Sequence, residues 1–166
     1  MDQLEQKAPG SGVIIDPPHS ISQASVDDKG RLKLPTNFQQ FLNSIGDQRF
    51  FVTSLDRHIA RIYPISVWEQ NEKVMNELSA QDPEAAEALG FTANDLGADA
   101  KLDPQGRMTL PTELRRELEL ENQEVRLACF LGGIDVYSMK EYDARKQKAT
   151  ANLPASLVAA KKMGFK

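Results

Sequence analysis

A ten-residue segment occurs twice in this chain. Asp27-Asp28-Lys29-Gly30-Arg31-Leu32-Lys33-Leu34-Pro35-Thr36 returns as Asp103-Pro104-Gln105-Gly106-Arg107-Met108-Thr109-Leu110-Pro111-Thr112, identical at six of ten positions and displaced by 76 residues. Matching patterns follow each copy. Phe50-Phe51-Val52-Thr53, Ile62-Tyr63-Pro64 and Trp68 come after the first; Val125-Arg126-Leu127-Ala128, Val136-Tyr137-Ser138 and Tyr142 come after the second. The chain is an internal duplication of a unit of about fifty residues, and a pair of units is a pseudo-dimer, since stacked arrays need three or more. A lone unit of that size buries too little surface to be comfortably stable, so the halves are expected to share one core. The hydrophobic share of 40% is enough to build it.

Each unit reads as strand, tight turn, strand, helix, hairpin, helix. Ser22, Ala24 and Val26 alternate with polar residues up to the first turn, and Leu32 and Leu34 alternate with Arg31 and Lys33 after it. Ala98, Ala100 and Leu102 lead into the second turn, and Met108 and Leu110 alternate with Arg107 and Thr109 beyond it. A period of two means a strand with one buried face. Gly30 and Gly106 supply the positive φ that such turns need. Pro35 and Pro111 end the strands and start short helices.

Hairpins follow over Asp56-Arg57-His58 and Gly132-Gly133, with Trp68 and Tyr142 after them read as packing residues. The organisation is then a disordered leader (1–19), a first repeat with a linker helix (20–80), an inter-repeat linker (81–97), a second repeat (98–148) and a flexible basic tail (149–166). Ser66 with Glu69 forms a candidate capping box for the linker helix, with Pro64 as the other possible start. Asp82 is read as capping a second helix that stops at Gly90.

Catalysis is not expected. His19 and His58 stand in no metal-ligand spacing with Cys129, and neither a phosphate loop nor a nucleophile elbow is present. Each of Asp27 and Asp103 has an arginine four residues on, which keeps a carboxylate ionised and unsuited to giving up a proton. Cys129, the single cysteine, reads as a small buried hydrophobe and suits a reducing cytoplasm. No apolar run reaches the ~20 residues of a membrane span. No cofactor, metal or small-molecule substrate is implied.

The net charge is −4, yet its distribution matters more than its sum. Acid gathers at Glu69, Glu72, Glu77, Asp82, Glu84 and Glu87. Base gathers around the first turn and in the tail, at Arg145, Lys146, Lys148, Lys161, Lys162 and Lys166. Arg31 and Arg107 face away from the apolar side at matching places. One reading is a surface ion pair with Asp27 or Asp103 that pins each hairpin, an interaction of small worth. The other is that the aspartate orients a guanidinium fork, which can bond guanine O6 and N7 in a major groove that admits a two-stranded ribbon. Both readings stand on the residues alone. Lys29 and Lys33 are phosphate contacts in the second reading and a solvated edge in the first. Arg115 and Arg116 read as the solvent face of a helix.

Asp-x-x-Gly-Arg-x-x-Leu-Pro, twice in one small chain, resembles the MraZ family, built from two SpoVT/AbrB-type repeats. The likeness covers roughly residues 20–148 and extends to Ile62-Tyr63-Pro64 with Trp68-Glu69. It implies an α+β, mainly β fold: a swapped-hairpin barrel of two tandem repeats with short flanking helices. It also implies a cytoplasmic, nucleoid-associated transcriptional regulator that binds repeated DNA sites upstream of division and cell-wall genes and assembles into ring-shaped homo-oligomers. Double-stranded DNA and further copies of the chain are the implied partners. The family's Asp-x-x-x-Arg motif falls on Asp27 with Arg31 and on Asp103 with Arg107, with Gly30 and Gly106 shaping the turns. Two other readings stay open: an antitoxin-like protein-interaction module, and a structural ring whose DNA face has degenerated. Here the segment from Ala85 to Gly97 is acidic and small, where the family carries a basic, aromatic stretch.

Overall fold

The alternation on either side of each turn becomes a pair of short antiparallel strands, and the rest of each unit follows in the same order. The computed structural model describes residues 15–166. The first half contains β1 (Ser22–Val26), β2 (Arg31–Lys33), α1 (Thr36–Ser44), β3 (Phe50–Thr53) and β4 (Ala60–Pro64). A helical hairpin follows, α2 (Ile65–Gln81) and α3 (Pro83–Leu96). The second half contains β5 (Ala98–Ala100), β6 (Arg107–Thr109), α4 (Thr112–Glu117), β7 (Gln123–Phe130) and β8 (Gly133–Ser138), and it ends in α5 (Met139–Lys162).

Neither half pairs mainly with itself. The eight strands form one sheet in the order β5-β3-β4-β8-β7-β1-β2-β6. β1 pairs with β7 from Ser22↔Leu127 to Val26↔Gln123, and β5 pairs with β3 through Phe50↔Ala100. β2 lies on β6 around Leu32↔Met108, and β4 lies on β8 around Ile62↔Ile134. A bridge from Leu102 to Met108 brings the chain beyond β5 back to β6, so the sheet curls into a nearly closed antiparallel barrel. The α+β, mainly β barrel expected from the resemblance is the fold. Interleaving follows from strand length: three-residue β2 and β6 cannot cover their own inward side chains, but laid together they close the same core.

That core draws apolar side chains from both repeats. Leu32, Leu34, Phe38 and Leu42 of the first half meet Met108, Leu110, Leu114 and Leu120 of the second, with Val125, Leu127, Ile134 and Val136 completing it, all essentially without solvent exposure. Full burial of one such side chain stabilises by roughly 1.5–3 kcal/mol relative to leaving it exposed. A second cluster holds α2 to the barrel. Trp68 is buried beside Phe51 and Tyr63, with ring centroids 4.7 and 5.1 Å away, which is the packing role expected of it. On the barrel wall, buried Asp135 is ion-paired to Arg61, whose guanidinium also lies 5.0 Å from the Tyr63 ring.

Several local expectations are corrected. α2 starts at Ile65 directly behind Pro64, and no side-chain cap bond forms at its N-terminus, so the Ser66–Glu69 capping box is absent. Asp82 does cap α3, accepting from the Ala85 N–H at 3.1 Å. The helix, however, runs through Gly90 to Leu96, because Ala93 and Leu96 beyond the glycine are buried and hold its last turns in place. Residues 149–162 of the stretch read as a flexible basic tail are the continuation of α5, with Pro154 inside the helix. An interior proline removes one hydrogen bond and crowds the preceding turn, at a cost of about 3 kcal/mol. Of the leader, residues 1–14 lie outside the described residues. Ile15 donates its N–H to Ser44 Oγ at 3.1 Å, and residues 15–19 run without regular structure toward β1.

Candidate nucleic-acid interface

The two ten-residue segments fold into clasps with the same hydrogen-bond pattern. In the first, Asp27 N–H donates to the Arg31 carbonyl (3.0 Å) and Gly30 N–H to the Asp27 carbonyl (3.1 Å), closing the turn. Asp27 Oδ1 accepts from the N–H groups of Lys29 (3.0 Å) and Arg31 (2.8 Å), and Oδ2 accepts from Arg31 Nε at 2.8 Å. In the second, Asp103 Oδ1 accepts from Gln105 N–H (2.9 Å) and Arg107 N–H (2.8 Å), and Oδ2 accepts from Arg107 Nε at 3.0 Å. Gly30 and Gly106 have φ of +80° and +77°, the left-handed turn conformation expected of them.

Each aspartate carboxyl is held below the usual carboxylate range, first by the backbone N–H of its arginine and then by the guanidinium and a second backbone N–H. A depressed folded-state pKa contributes stability above the ordinary carboxylate range, and that contribution is lost as pH falls through the folded value. At neutral pH both aspartates are therefore ionised. Because Nε is occupied, the two Nη groups of Arg31 and of Arg107 point onward with no protein hydrogen-bond acceptor among the described residues.

The barrel places the clasps together. β2 and β6 run antiparallel, with Arg31 opposite Thr109 and Lys33 opposite Arg107. Leu32 and Met108 point inward, so Arg31, Lys33, Arg107 and Thr109 share the outer face of a two-stranded ribbon. Arg31 and Arg107 are diagonal neighbours there, a separation of about 7–8 Å between side-chain stems. Lys29 is exposed in the first turn, while Lys33 Nζ donates to the Gln105 carbonyl of the second turn. That contact ties one half's lysine to the other half's turn.

Two residues that hold the clasps escape a reading by residue type. Arg115, expected to face solvent, instead lies under Gly30. Its Nε meets Glu121 at 2.8 Å and Nη1 donates to the Leu110 carbonyl at 2.5 Å. Gln39 lies under Gly106 in the same way and donates Nε2 to the Leu34 carbonyl at 2.6 Å. The backbone repeats this exchange: Leu34 N–H donates to the Gly106 carbonyl (3.0 Å) and Leu110 N–H to the Gly30 carbonyl (2.9 Å). Each turn is thus propped by the other half's helix. Both residues stand four positions after the Leu-Pro proline, a shared place that differing chemistry conceals.

Gly106→Ala is accordingly expected to lower stability by at least the ~1–2 kcal/mol that left-handed backbone costs an L-residue. A Cβ there falls 2.1–2.3 Å from the Gln39 amide, so that side chain must also leave its hydrogen bond. Thermal melts of Gly106→Ala and Gly30→Ala test this, and an unchanged midpoint would show that the turns tolerate ordinary residues.

The other singled-out residues lie elsewhere. Cys129 is half-buried in β7, and burial pushes its thiol up to about 11, which leaves it an unreactive thiol at neutral pH. His58 sits 3.3 Å from Glu141, at the start of α5, and Tyr142 lies between Arg126 and Lys146. Among the described residues no group of three His, Cys, Asp or Glu is placed to hold a metal ion. No helix among them is long and apolar enough to cross a membrane.

Comparison with known proteins gives one consistent result. The family described as "MraZ protein, putative antitoxin-like" matches residues 97–163. A transcriptional regulator MraZ of Koribacter versatilis is 36% identical over 107 residues, 64% of this chain and 71% of the relative. That of Acidobacterium capsulatum is 32% identical over 117 residues, 70% of this chain and 73% of the relative. That of Desulfitobacterium hafniense is 29% identical over 137 residues, covering 81% and 92%. These relatives are named as regulators of transcription and not as enzymes.

Proposed function

The chain belongs to the MraZ family, and from that premise we propose that it is a sequence-specific DNA-binding transcriptional regulator. The observation that carries this reading is the paired clasp: two arginines on adjacent strands, each with Nε locked to an aspartate and both Nη groups directed outward. An Nη pair fixed in this way matches guanine O6 and N7, and a two-stranded ribbon is narrow enough for the major groove. Arg31 and Arg107 read base edges. Asp27 and Asp103 orient them, and Gly30 and Gly106 shape the turns that bring them together. Lys29 and Lys33 contact phosphate, which positions the ribbon without reading sequence.

One ribbon reads only a few base pairs, so strong binding needs several ribbons linked in one assembly on repeated sites, where avidity multiplies weak contacts. A ring-shaped homo-oligomer acting on repeats upstream of division and cell-wall genes, in the cytoplasm at the nucleoid, meets that requirement. The test is a fluorescence anisotropy titration of the protein into G-rich direct repeats from its own upstream region and into a scrambled duplex, at two salt concentrations. Preference for the repeats is expected; equal, weak, salt-sensitive binding to both would overturn the reading.

Lys33→Ala separates positioning from readout. It is expected to weaken both duplexes about equally and to reduce the slope of log affinity against log salt by about one. A loss confined to the repeat duplex would instead make Lys33 a base-reading residue.

A further inference from the structure

Arg31 and Arg107 are held by aspartates of their own turns. A turn that tilts therefore carries its aspartate and its arginine along together, and the Nη groups at the end of the side chain move furthest. A bidentate contact tolerates little of this, since a reading group must stay within about 0.5 Å and 10–20° of its productive place. What each turn rests on thus bears directly on base reading.

Each turn rests on one polar side chain of the opposite half. Arg115 comes from α4 and lies against the first turn, where a Cβ added at Gly30 would overlap its guanidinium. Gln39 comes from α1 and lies against the second turn, where a Cβ added at Gly106 would overlap its amide. Both donate to the carbonyl five residues back, Arg115 to Leu110 and Gln39 to Leu34. Each of those leucines donates its own N–H to the glycine carbonyl of the supported turn, Leu110 to Gly30 at 2.9 Å and Leu34 to Gly106 at 3.0 Å. Side chain, leucine peptide and turn therefore close a small circuit, built twice with different chemistry. Stability is a poor reason for a charge in this place. Arg115 is 15% exposed, and its ion pair with the 40% exposed Glu121 adds little over an apolar side chain of similar volume. A fork bonded at Nε and Nη1 does, however, fix a direction. The first turn has one more support, the Asn122 N–H on the Asp27 carbonyl at 3.2 Å, and no equivalent bond reaches the Asp103 carbonyl among the described residues.

We propose that Arg115 and Gln39 are positioning residues for base reading and that they act crosswise. Arg115 of the second half aims Arg31 of the first, and Gln39 of the first half aims Arg107 of the second. Neither reads a base itself. The proposal rests on the DNA readout proposed above and adds to it the residues that make the reading head depend on both halves.

Two measurements on the full chain test it. In the first, Arg31→Ala and Arg107→Ala, taken singly, assign the base pair that each arginine reads, as the one whose replacement in the repeat duplex ceases to matter. Arg115→Met keeps the bulk and loses both bonds. It is expected to lose the preference at the Arg31 base pair, roughly 5- to 150-fold for one bidentate contact, and to keep the preference at the Arg107 base pair. Gln39→Met is expected to do the reverse. Arg115→Gln should retain the Arg31 preference, because Gln39 reaches the matching carbonyl from the matching position. Equal losses at both base pairs, a loss at the base pair read from the variant's own half, or preferences unchanged in both methionine variants would overturn the proposal. So would an Arg115→Gln protein that behaves like Arg115→Met.

The second measurement needs no DNA. Deuterium exchange, read by mass spectrometry, follows the N–H groups of residues 27–31 and 103–107. Exchange is expected to quicken in the first turn alone for Arg115→Met and in the second turn alone for Gln39→Met. Quickening of both turns by either variant is general loosening and refutes crosswise positioning. Crosswise exchange in a protein without base preference would leave the positioning standing and remove the DNA readout, whereas base preference with uniform exchange would do the opposite.

Discussion

Replacing Arg31 and Arg107 together by alanine is expected to remove the preference for repeat DNA while leaving a folded protein with weak general affinity for DNA. A bidentate arginine–guanine contact discriminates by about 1–3 kcal/mol. Losing two should therefore lower the preference roughly 30-fold to 10⁴-fold, at tenfold per about 1.4 kcal/mol. The barrel should survive because both side chains point away from the core, and the inward Leu32 and Met108 are untouched. Lys29 and Lys33 remain, so salt-dependent binding to any duplex should persist. Anisotropy on matched and scrambled DNA measures both quantities at once. An equal loss on the two duplexes would mean that the arginines contribute only charge, and an unchanged preference would move the reading surface away from the ribbon.

The second large effect concerns the fold. Residues 1–96 and 97–166, produced as separate chains, are each expected to fail as folded monomers. β1 has lost β7, β4 has lost β8, and β3 has lost β5, so most of the hydrogen-bonded edges and the shared core open to water. The turns lose their props as well, since Gln39 supports Gly106 and Arg115 supports Gly30 across the cut. Mixing the two fragments should restore a single cooperative melt. A concentration-independent, cooperative transition in either fragment alone would show that the halves are separate domains. Point changes in one half should likewise destabilise the whole barrel, because residues in contact share their energetic cost.

Much of this molecule is legible in residue order because it depends on near neighbours. The two turns follow from Asp, Gly and Arg at fixed offsets: the carboxylate reaches backbone N–H groups two and four residues on, whatever lies further away. The inward and outward faces of β2 and β6 follow from strict alternation, and the helix starts at Thr36 and Thr112 follow from the proline ahead of each. Repetition made the Asp27–Arg31 and Asp103–Arg107 pairs conspicuous as a set.

What residue order left open was which surface covers which. A three-residue strand has no preference strong enough to select its partner, and the selection comes from the collective burial of Leu32, Leu34, Met108 and Leu110 in one core. Gly90 shows the same dependence: a glycine near a plausible helix end reads as a stop, yet here packing between α2 and α3 carries the helix through it. Arg115 shows it most plainly. A charged residue on a short helix belongs in water by its type, and it is half-hidden here because the exchange of hairpins brings Gly30 over it and sets Glu121 and the Leu110 carbonyl within reach. Local chemistry thus wrote the two clasps into the chain, while long-range burial, which sums over both halves, brought them side by side on one ribbon.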